Sequence, residues 1–200
     1  MVIFTGTGRS GTKWLASCFG AYHGFYNKEF IREKWPGENM HSSSYTEMSL
    51  NVPKYLFCLP DKSIVCDVGS YDVNGSYRAI IEPKFQYVGI DLKAGPNVDV
   101  IMKSEYDTGL PENHADAVIS GQCLEHCKNP FKLVAEMFRI VKRGRLVMIV
   151  APFIFNPHRY PVDCWRFLPD GMTVLIETAG AKVINTYINA KDCWGIGQKQ

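Results

Sequence analysis

Two carboxylates stand where strand-like runs give out: Asp67 after "SIVC" and Asp91 after "FQYVGI". A carboxylate accepts two hydrogen bonds at once, so Asp91 suits the paired hydroxyls of a ribose and implies a nucleoside. The glycine loop "DVGSYDVNGSYR" lies between them, from Asp67 to Arg78. It lacks the tight G-x-G-x-x-G spacing that lets a backbone close on pyrophosphate, because "SYDVN" separates Gly69 from Gly75 and its Asp72 would repel phosphate. The ligand these residues describe is a nucleoside without a phosphate chain. S-adenosylmethionine is such a molecule, and its ammonium and sulfonium charges would tolerate Asp67 and Asp72.

Further along, Glu125 and His126 follow "SGQCL". They could be a general base pair or metal ligands, and the plainer alternative is that they cap and orient the helix that follows. Cys123, Glu125, His126 and Cys127 invite a zinc reading, but adjacent residues on one turn rarely converge tetrahedrally and no second pair is apparent, so no metal is expected. The segment "HRYPVDCWRF" mixes His158, Tyr160, Asp163, Trp165 and Arg166 with proline-stiffened backbone. It is either an acceptor-binding lid, with Tyr160, Trp165 and Arg166 meeting substrate, or an aromatic loop packed over the sheet edge. If an acceptor must lose a proton, His126 or His158 is the base.

These residues need a frame that gathers strand ends. From Lys62 onward short strand-like runs alternate with helical stretches, the pattern of a parallel sheet covered by helices. Strands are expected at "SIVCDV", Phe85 to Asp91, Val98 to Met102, Ala115 to Gly121, "RLVMIVAPF", "AKVINTYIN" and "CWGIGQK". Helices are expected at "NGSYRAII", at "NPFKLVAEMFRIVKRG" and at "DGMTVLIETAG". The second of these puts Phe131, Val134, Ala135, Phe138 and Val141 on one face, Lys142 and Arg143 in its last turn and Gly144 just beyond. "KRGR" then reads as a helix end and turn, not a nucleic acid patch. In an open sheet of this kind ligands sit beyond the carboxyl ends of the strands, which is where the polar residues cluster.

Composition bounds the rest. Two hundred residues at 46% apolar and 21% charged suit one globular domain, with or without an appendage. A balance of 22 basic to 20 acidic residues is too weak a field to argue for nucleic acid or an anionic membrane. No apolar run approaches the roughly 18 residues of a membrane span. Seven cysteines are an odd number for a disulfide framework and no secretion signal precedes them, so reduced thiols in a cytoplasm are expected. "SSSYTEMS", Ser42 to Ser49, is polar enough for a loop or linker, and a boundary near Pro60 divides residues 1–60 from 61–200.

From about Ser63 to its C-terminus the chain resembles the class I S-adenosylmethionine-dependent methyltransferases of the small-molecule, type 11 group. The resemblance is carried by "VCDVGS", "YVGIDL", "ADAVISGQCLEHCKNPFKLVAEMFRIVKRGRLVMIVAPF" and "HRYPVDCWRFLPDGM". It implies a Rossmann-like, doubly wound α/β sheet of seven strands, mostly parallel, with the last antiparallel. It also implies that Asp67, Val68, Gly69 and Ser70 line the methionine end, that Asp91 holds the ribose and that Leu92 packs on the adenine. The backbone of Ser120, Gly121 and Gln122 would meet the amino acid part. Where relatives commonly place an Asp for the adenine amino group this chain has Lys103, which only donates, so either Ser104 or Glu105 substitutes or the cofactor is held less tightly. The implied activity is methyl transfer to a small-molecule acceptor; the alternatives are a noncatalytic binding module of the same fold, and a nucleotide- or sulfate-dependent transferase run from the N-terminus.

That last alternative comes from "MVIFTGTGRSGTKWLASCF", itself strand, glycine loop and helix. Its loop misses the phosphate-loop pattern because Thr12 precedes Lys13. It is similar instead to the phosphosulfate-binding loop of sulfotransferases, through Arg9, Ser10, Gly11 and Thr12. The match is short, so the segment is expected to be a βα appendage that can hold an anion.

Overall fold

The computed structural model describes residues 42–200; the N-terminal loop with Arg9, Ser10, Gly11 and Thr12 lies outside the described residues. The strands are β1 (Ile64–Val68), β2 (Gln86–Asp91), β3 (Val100–Ile101), β4 (Ala115–Gly121), β5 (Val141–Pro152), β6 (Ala181–Asn189) and β7 (Asp192–Lys199). They form one seven-stranded sheet in the order β3-β2-β1-β4-β5-β7-β6. Only β7 runs antiparallel to its neighbours. The helices are α1 (Ser42–Leu56), α2 (Arg78–Ile81), α3 (Pro130–Ile140) and α4 (Pro169–Thr178). The strand order reverses between β1 and β4, which opens a crevice at their carboxyl ends.

The central strands read as unbroken apolar runs because both faces are covered. Leu146, Met148 and Val150 of β5 face α1 and α2, together with Ala117, Ile119 and Trp194. The alternate residues Val147, Ile149 and Ala151 face α3 and α4, together with Cys66, Val68 and Val118. Full burial of each large aliphatic contributes about 1.5–3 kcal/mol, so the sheet core dominates the stability that positions the crevice.

Three expectations are corrected. First, Ser42 to Ser49 is the start of α1, not a loop. Met48, Val52, Tyr55 and Leu56 recur at helical spacing and are buried in the same cluster as β5 and Trp194, which a polar linker would not be. Second, α3 ends at Ile140, because Val141 pairs with Ala115 and begins β5. Lys142 reaches Asp116 at 2.8 Å, and Arg143 and Gly144 lie in a bulge before Leu146 rejoins β4, with Gly144 at φ +73°. The buried face of α3 is Leu133, Val134, Met137, Phe138 and Ile140, while Phe131 and Ala135 face solvent. Third, the helix expected at Asn74 to Ile81 is reduced to the single turn of α2. Asp72 Oδ1 instead accepts the Gly75 N–H at 2.6 Å and Ser76 Oγ accepts the Arg78 N–H, holding the preceding residues in turns.

Cys66, Cys123, Cys127, Cys164 and Cys193 are free thiols, but Cys58 is disulfide-bonded, against the expectation of reduced cysteines throughout. Among the described residues no helix is long and apolar enough to cross a membrane.

Candidate active site

Strand β1 delivers Asp67 and β2 delivers Asp91 to the crevice. Asp67 is buried, and its Oδ2 accepts a hydrogen bond from Tyr87 Oη at 2.6 Å. Burial pushes its carboxyl up to about 7, outweighing the lowering by the Tyr87 bond; the Asp91 charge adds to the rise and Arg78 opposes it. Gly69 turns the chain with φ +84°, and a Cβ there would collide with Cys123 Sγ, so the exits of β1 and β4 pack directly together. Val68 and Ser70 are buried, and the N–H groups of Gly69 and Ser70 both go to the Ile90 carbonyl, at 2.9 and 3.1 Å. These residues shape the crevice more than they offer it donors.

The carboxylate of Asp91 is half-buried and held by two backbone donors. Oδ2 accepts from Tyr71 N–H at 3.1 Å and Oδ1 from Leu92 N–H at 2.6 Å. One bond per oxygen leaves each with a free lone pair, which is what a vicinal diol requires. Leu92 is 48% exposed beside it, an apolar surface with nothing of its own to cover it. Ser104 lies in an exposed tight turn bridged to Asp107, where its Oγ faces the Tyr106 N–H. The alternative, Glu105, pairs with Lys128 at 3.0 Å, and the Lys103 stem lies against Gly109.

At the end of β4, Ser120 Oγ donates to the Val68 carbonyl at 2.7 Å and is buried, so at Ser120 only the backbone is left to meet a ligand. Gly121 has no room for a Cβ because the Tyr77 ring and hydroxyl occupy the space. Gln122, at φ +53°, donates its N–H to the Val150 carbonyl and its Nε2 to Asp192 Oδ1, at 2.9 Å in each case. Asp192 Oδ2 in turn accepts from Ser43 Oγ, and Ser44 Oγ is 2.6 Å from Tyr77 Oη. The first turn of α1 therefore reaches the crevice, and Ser43, Ser44, Tyr77 and Asp192 are site residues that sequence reasoning missed. Only the stripe Met48–Val52–Tyr55–Leu56 could have signalled that helix.

A short 3₁₀ turn, Leu124–His126, follows, and the strap from 153 to 168 between β5 and α4 folds over it. Three hydrogen bonds stitch the two: Cys164 N–H to the Glu125 carbonyl at 2.7 Å, Trp165 Nε1–H to the Cys127 carbonyl at 2.8 Å, and His126 Nδ1 against the Val162 carbonyl at 2.6 Å. A carbonyl only accepts, so His126 carries its proton on Nδ1 and a lone pair on Nε2. That Nε2 is 3.8 Å from Oε1 of Glu125, a carboxyl only 1% exposed whose two oxygens have no partner in hydrogen-bond geometry. Burial pushes Glu125 up to about 8, against the pull of its own backbone N–H and the Arg166 charge, and burial also lowers His126. The His158 ring meets that of His126 edge-on, with centroids 4.9 Å apart.

The strap thus brings together His126, His158 and Tyr160, whose ring centroid is 6.2 Å from that of His126. Tyr160 and Trp165 stay 54% and 40% exposed. Arg166 is different: its guanidinium grips both oxygens of Asp163, at 2.6 and 2.8 Å, and also reaches the Phe155 and Asn156 carbonyls. It holds the Asp163 carboxyl below the usual carboxylate range and clamps the strap. A groove of about 510 Å³ beside α2, lined by Asp72, Ser76, Arg78, Asn97 and Asp99 among others, includes only Asp72 of the residues expected near the ligand.

Comparison with known proteins agrees with this fold. Residues 62–149 match the methyltransferase domain family. A probable S-adenosylmethionine-dependent methyltransferase of Mycolicibacterium smegmatis is 29% identical over 97 residues, 46% of this chain and 38% of that relative. The match therefore spans well under half the length of that curated relative. Among solved structures, an S-adenosylmethionine-dependent methyltransferase from Aquifex aeolicus superposes with a TM-score of 0.60 at 16% identity, covering 88% of this chain and 100% of that one. One chain of the Haloferax volcanii complex between the Trm112 methyltransferase activator and a methyltransferase does so at 0.61 and 13%, covering 94% of each.

Proposed function

We propose that this chain, whose residues 62–149 match the methyltransferase domain family, is a class I S-adenosylmethionine-dependent methyltransferase and that its crevice transfers the cofactor's methyl group to a small-molecule acceptor. The observation that carries the reading is Asp91, whose two oxygens each keep a lone pair for a ribose hydroxyl. The cofactor, when bound, supplies a methyl group made electrophilic by a sulfonium. The chain does the holding. Asp91 takes the ribose, Leu92 covers one face of the adenine, and the backbone from Gly69 to Ser70 and from Ser120 to Gln122 lines the amino acid end, with Asp67 behind it. Ser104 is the remaining adenine candidate, from its turn after β3.

On the other side, Tyr160 and Trp165 offer exposed aromatic faces to the acceptor, and Arg166 serves by fixing the strap that presents them. His126 Nε2 bears a lone pair inside the stitched turn, so it can take a proton from an acceptor held there, with His158 against it. Most of the acceleration in such a transfer comes from holding nucleophile and methyl group in line. We draw the domain's start at or before Ser42, because α1 completes one face of the core, and leave the anion-binding role of Arg9, Ser10, Gly11 and Thr12 to the segment before it.

Calorimetric titration with S-adenosylmethionine tests the reading. Saturable binding that Asp91→Ala weakens supports it, and no binding by the folded protein overturns it. The free thiols favour a reducing compartment such as the cytoplasm, while the Cys58 disulfide counts against it. Counting reactive thiols in protein purified without reductant decides between them.

A further inference from the structure

We propose that Glu125, His126 and His158 form a binding site for a divalent first-row transition cation of the zinc class. One ligand atom from each of the three comes within 4.8 Å of the others, and Glu125 Oε1 and His126 Nε2 are 3.8 Å apart. Ligands of a tetrahedral zinc at about 2.0–2.2 Å lie roughly 3.5 Å from one another, so the carboxylate and first imidazole are nearly in place and only His158 must close in. His158 sits on the strap with its side chain 37% exposed, its ring edge-on to those of His126 and Phe155 and outside the hydrophobic core clusters.

Two independent features point to a cation. Glu125 is 1% exposed, yet neither oxygen has a hydrogen-bond partner, and a buried carboxyl is left in that state only at a cost that a cation would remove. Both imidazoles are also held in the orientation metal-binding histidines adopt. His126 Nδ1 is committed to the Val162 carbonyl at 2.6 Å and His158 Nδ1 faces the Asn156 carbonyl at 3.2 Å, which leaves both Nε2 lone pairs free. Two imidazole nitrogens and one carboxylate suit zinc, cobalt or iron(II), and not calcium or magnesium, which take oxygen shells. Three protein ligands leave a coordination position open to water or substrate; with the ion in place the His126 Nε2 lone pair is committed to it, so the proton-accepting role proposed for that atom belongs to the metal-free protein.

The test uses the whole chain, stripped of metal and of any affinity tag, titrated with Co²⁺ and followed by visible absorption, without cofactor or acceptor. Its failure therefore leaves the methyltransferase reading standing. The expected result is one equivalent of Co²⁺ with nitrogen- and oxygen-ligand absorption, displaced by Zn²⁺ and not by Mg²⁺. Glu125→Gln and His158→Gln should each weaken it by more than the roughly 10- to 100-fold that loss of an outer-shell partner costs. Both keep the shape of the site, and His158→Gln changes a partly exposed side chain, so folding survives. Absence of saturable binding, indifference to both variants, or thiolate-to-cobalt absorption that assigns the ion to cysteines would each overturn the proposal.

Discussion

On the β1–β2 side of the crevice the buried polar groups are bonded to the protein itself: Asp67 to Tyr87, Tyr87 to Asn97, and Ser70 to the Asn97 carbonyl. Across the crevice, Glu125 has no hydrogen-bond partner for either oxygen, and Gln122 Oε1 is buried without one. A satisfied network is rigid and specifies one conformation, whereas an unsatisfied buried group is a standing cost. The first side is thus a preformed cradle whose shape does not depend on a ligand. The second keeps its polar atoms in reserve for something that arrives.

The comparison presumes that one scaffold carries both sides, and removing α1 is the severest way to break it. Met48, Val52, Tyr55 and Leu56 are all buried against the sheet, at about 1.5–3 kcal/mol each, close to the whole stability of a typical domain. The helix also holds β6 through Glu47 and Asn51, which bond Tyr187 Oη at 2.8 Å each. A chain beginning at Asp61 should lose cooperative thermal unfolding and cofactor binding together. A sharp melting transition in that truncation would make α1 an appendage after all.

A second test sharpens what "satisfied" means at Asp67. With its folded value pushed up to about 7 against about 3.9 in an unfolded chain, this carboxyl keeps its proton between those limits only while folded. The stability it contributes is therefore full below about pH 4 and is lost as pH rises through 7, by up to about 4 kcal/mol. Denaturant unfolding of the wild type at stepped pH should show that fall, and Asp67→Asn should flatten it. A mutant profile that runs parallel to the wild type would mean that Asp67 is ionised in the folded protein and that its network is held by charge.

Asp91 lies at the rim of this network, where we propose that the ribose binds, and the effect expected there is smaller. Asp91→Ala removes the charged acceptor proposed for the ribose hydroxyls; water can replace part of it at this half-buried position, so the expected loss is that of about one charged hydrogen bond, roughly 1.5–3 kcal/mol or about ten- to a hundredfold in affinity. Calorimetry reads it directly, with Asp91→Asn as a control that keeps one acceptor for the Tyr71 and Leu92 amides. Unchanged affinity in folded Asp91→Ala would take the ribose away from Asp91.

The placement of Asp67, Gly69 and Asp91 at the strand ends was legible in the sequence because its determinants are local: a carboxylate at a strand end, a glycine beside it, an apolar run before it. Strands β4 and β6 fall at the expected residues for the same reason. Helix α1 was not legible, since a serine-rich opening and Pro53 mask its Met48–Val52–Tyr55–Leu56 stripe. The convergence of Glu125, His126 and His158 was still less so, because it depends on the path of the strap and no spacing rule encodes that. Lys142 shows the same limit on a small scale: a basic residue after a helical pattern reads as a cap, and only the Val141–Ala115 pairing turns it into a strand.

The smallest expected effect separates the two sides most cleanly. Trp165 Nε1–H donates to the Cys127 carbonyl at 2.8 Å, one of the stitches that hold the strap on the turn carrying Glu125 and His126. Phenylalanine at that position keeps most of the apolar ring and loses the donor, so the change should cost about 0.5–1.5 kcal/mol, the net worth of one neutral hydrogen bond. Because Trp165 touches none of the bonds that hold Asp67 or Asp91, cofactor affinity should stay within about twofold. The strap should nevertheless open more often: the Cys164 amide, which donates to the Glu125 carbonyl, should exchange its hydrogen several-fold faster in Trp165→Phe, while the Tyr71 amide on Asp91 should not change. Equal acceleration at both amides would mean that the two sides loosen as one cooperative unit, and the division between preformed cradle and reserved site would have to be given up.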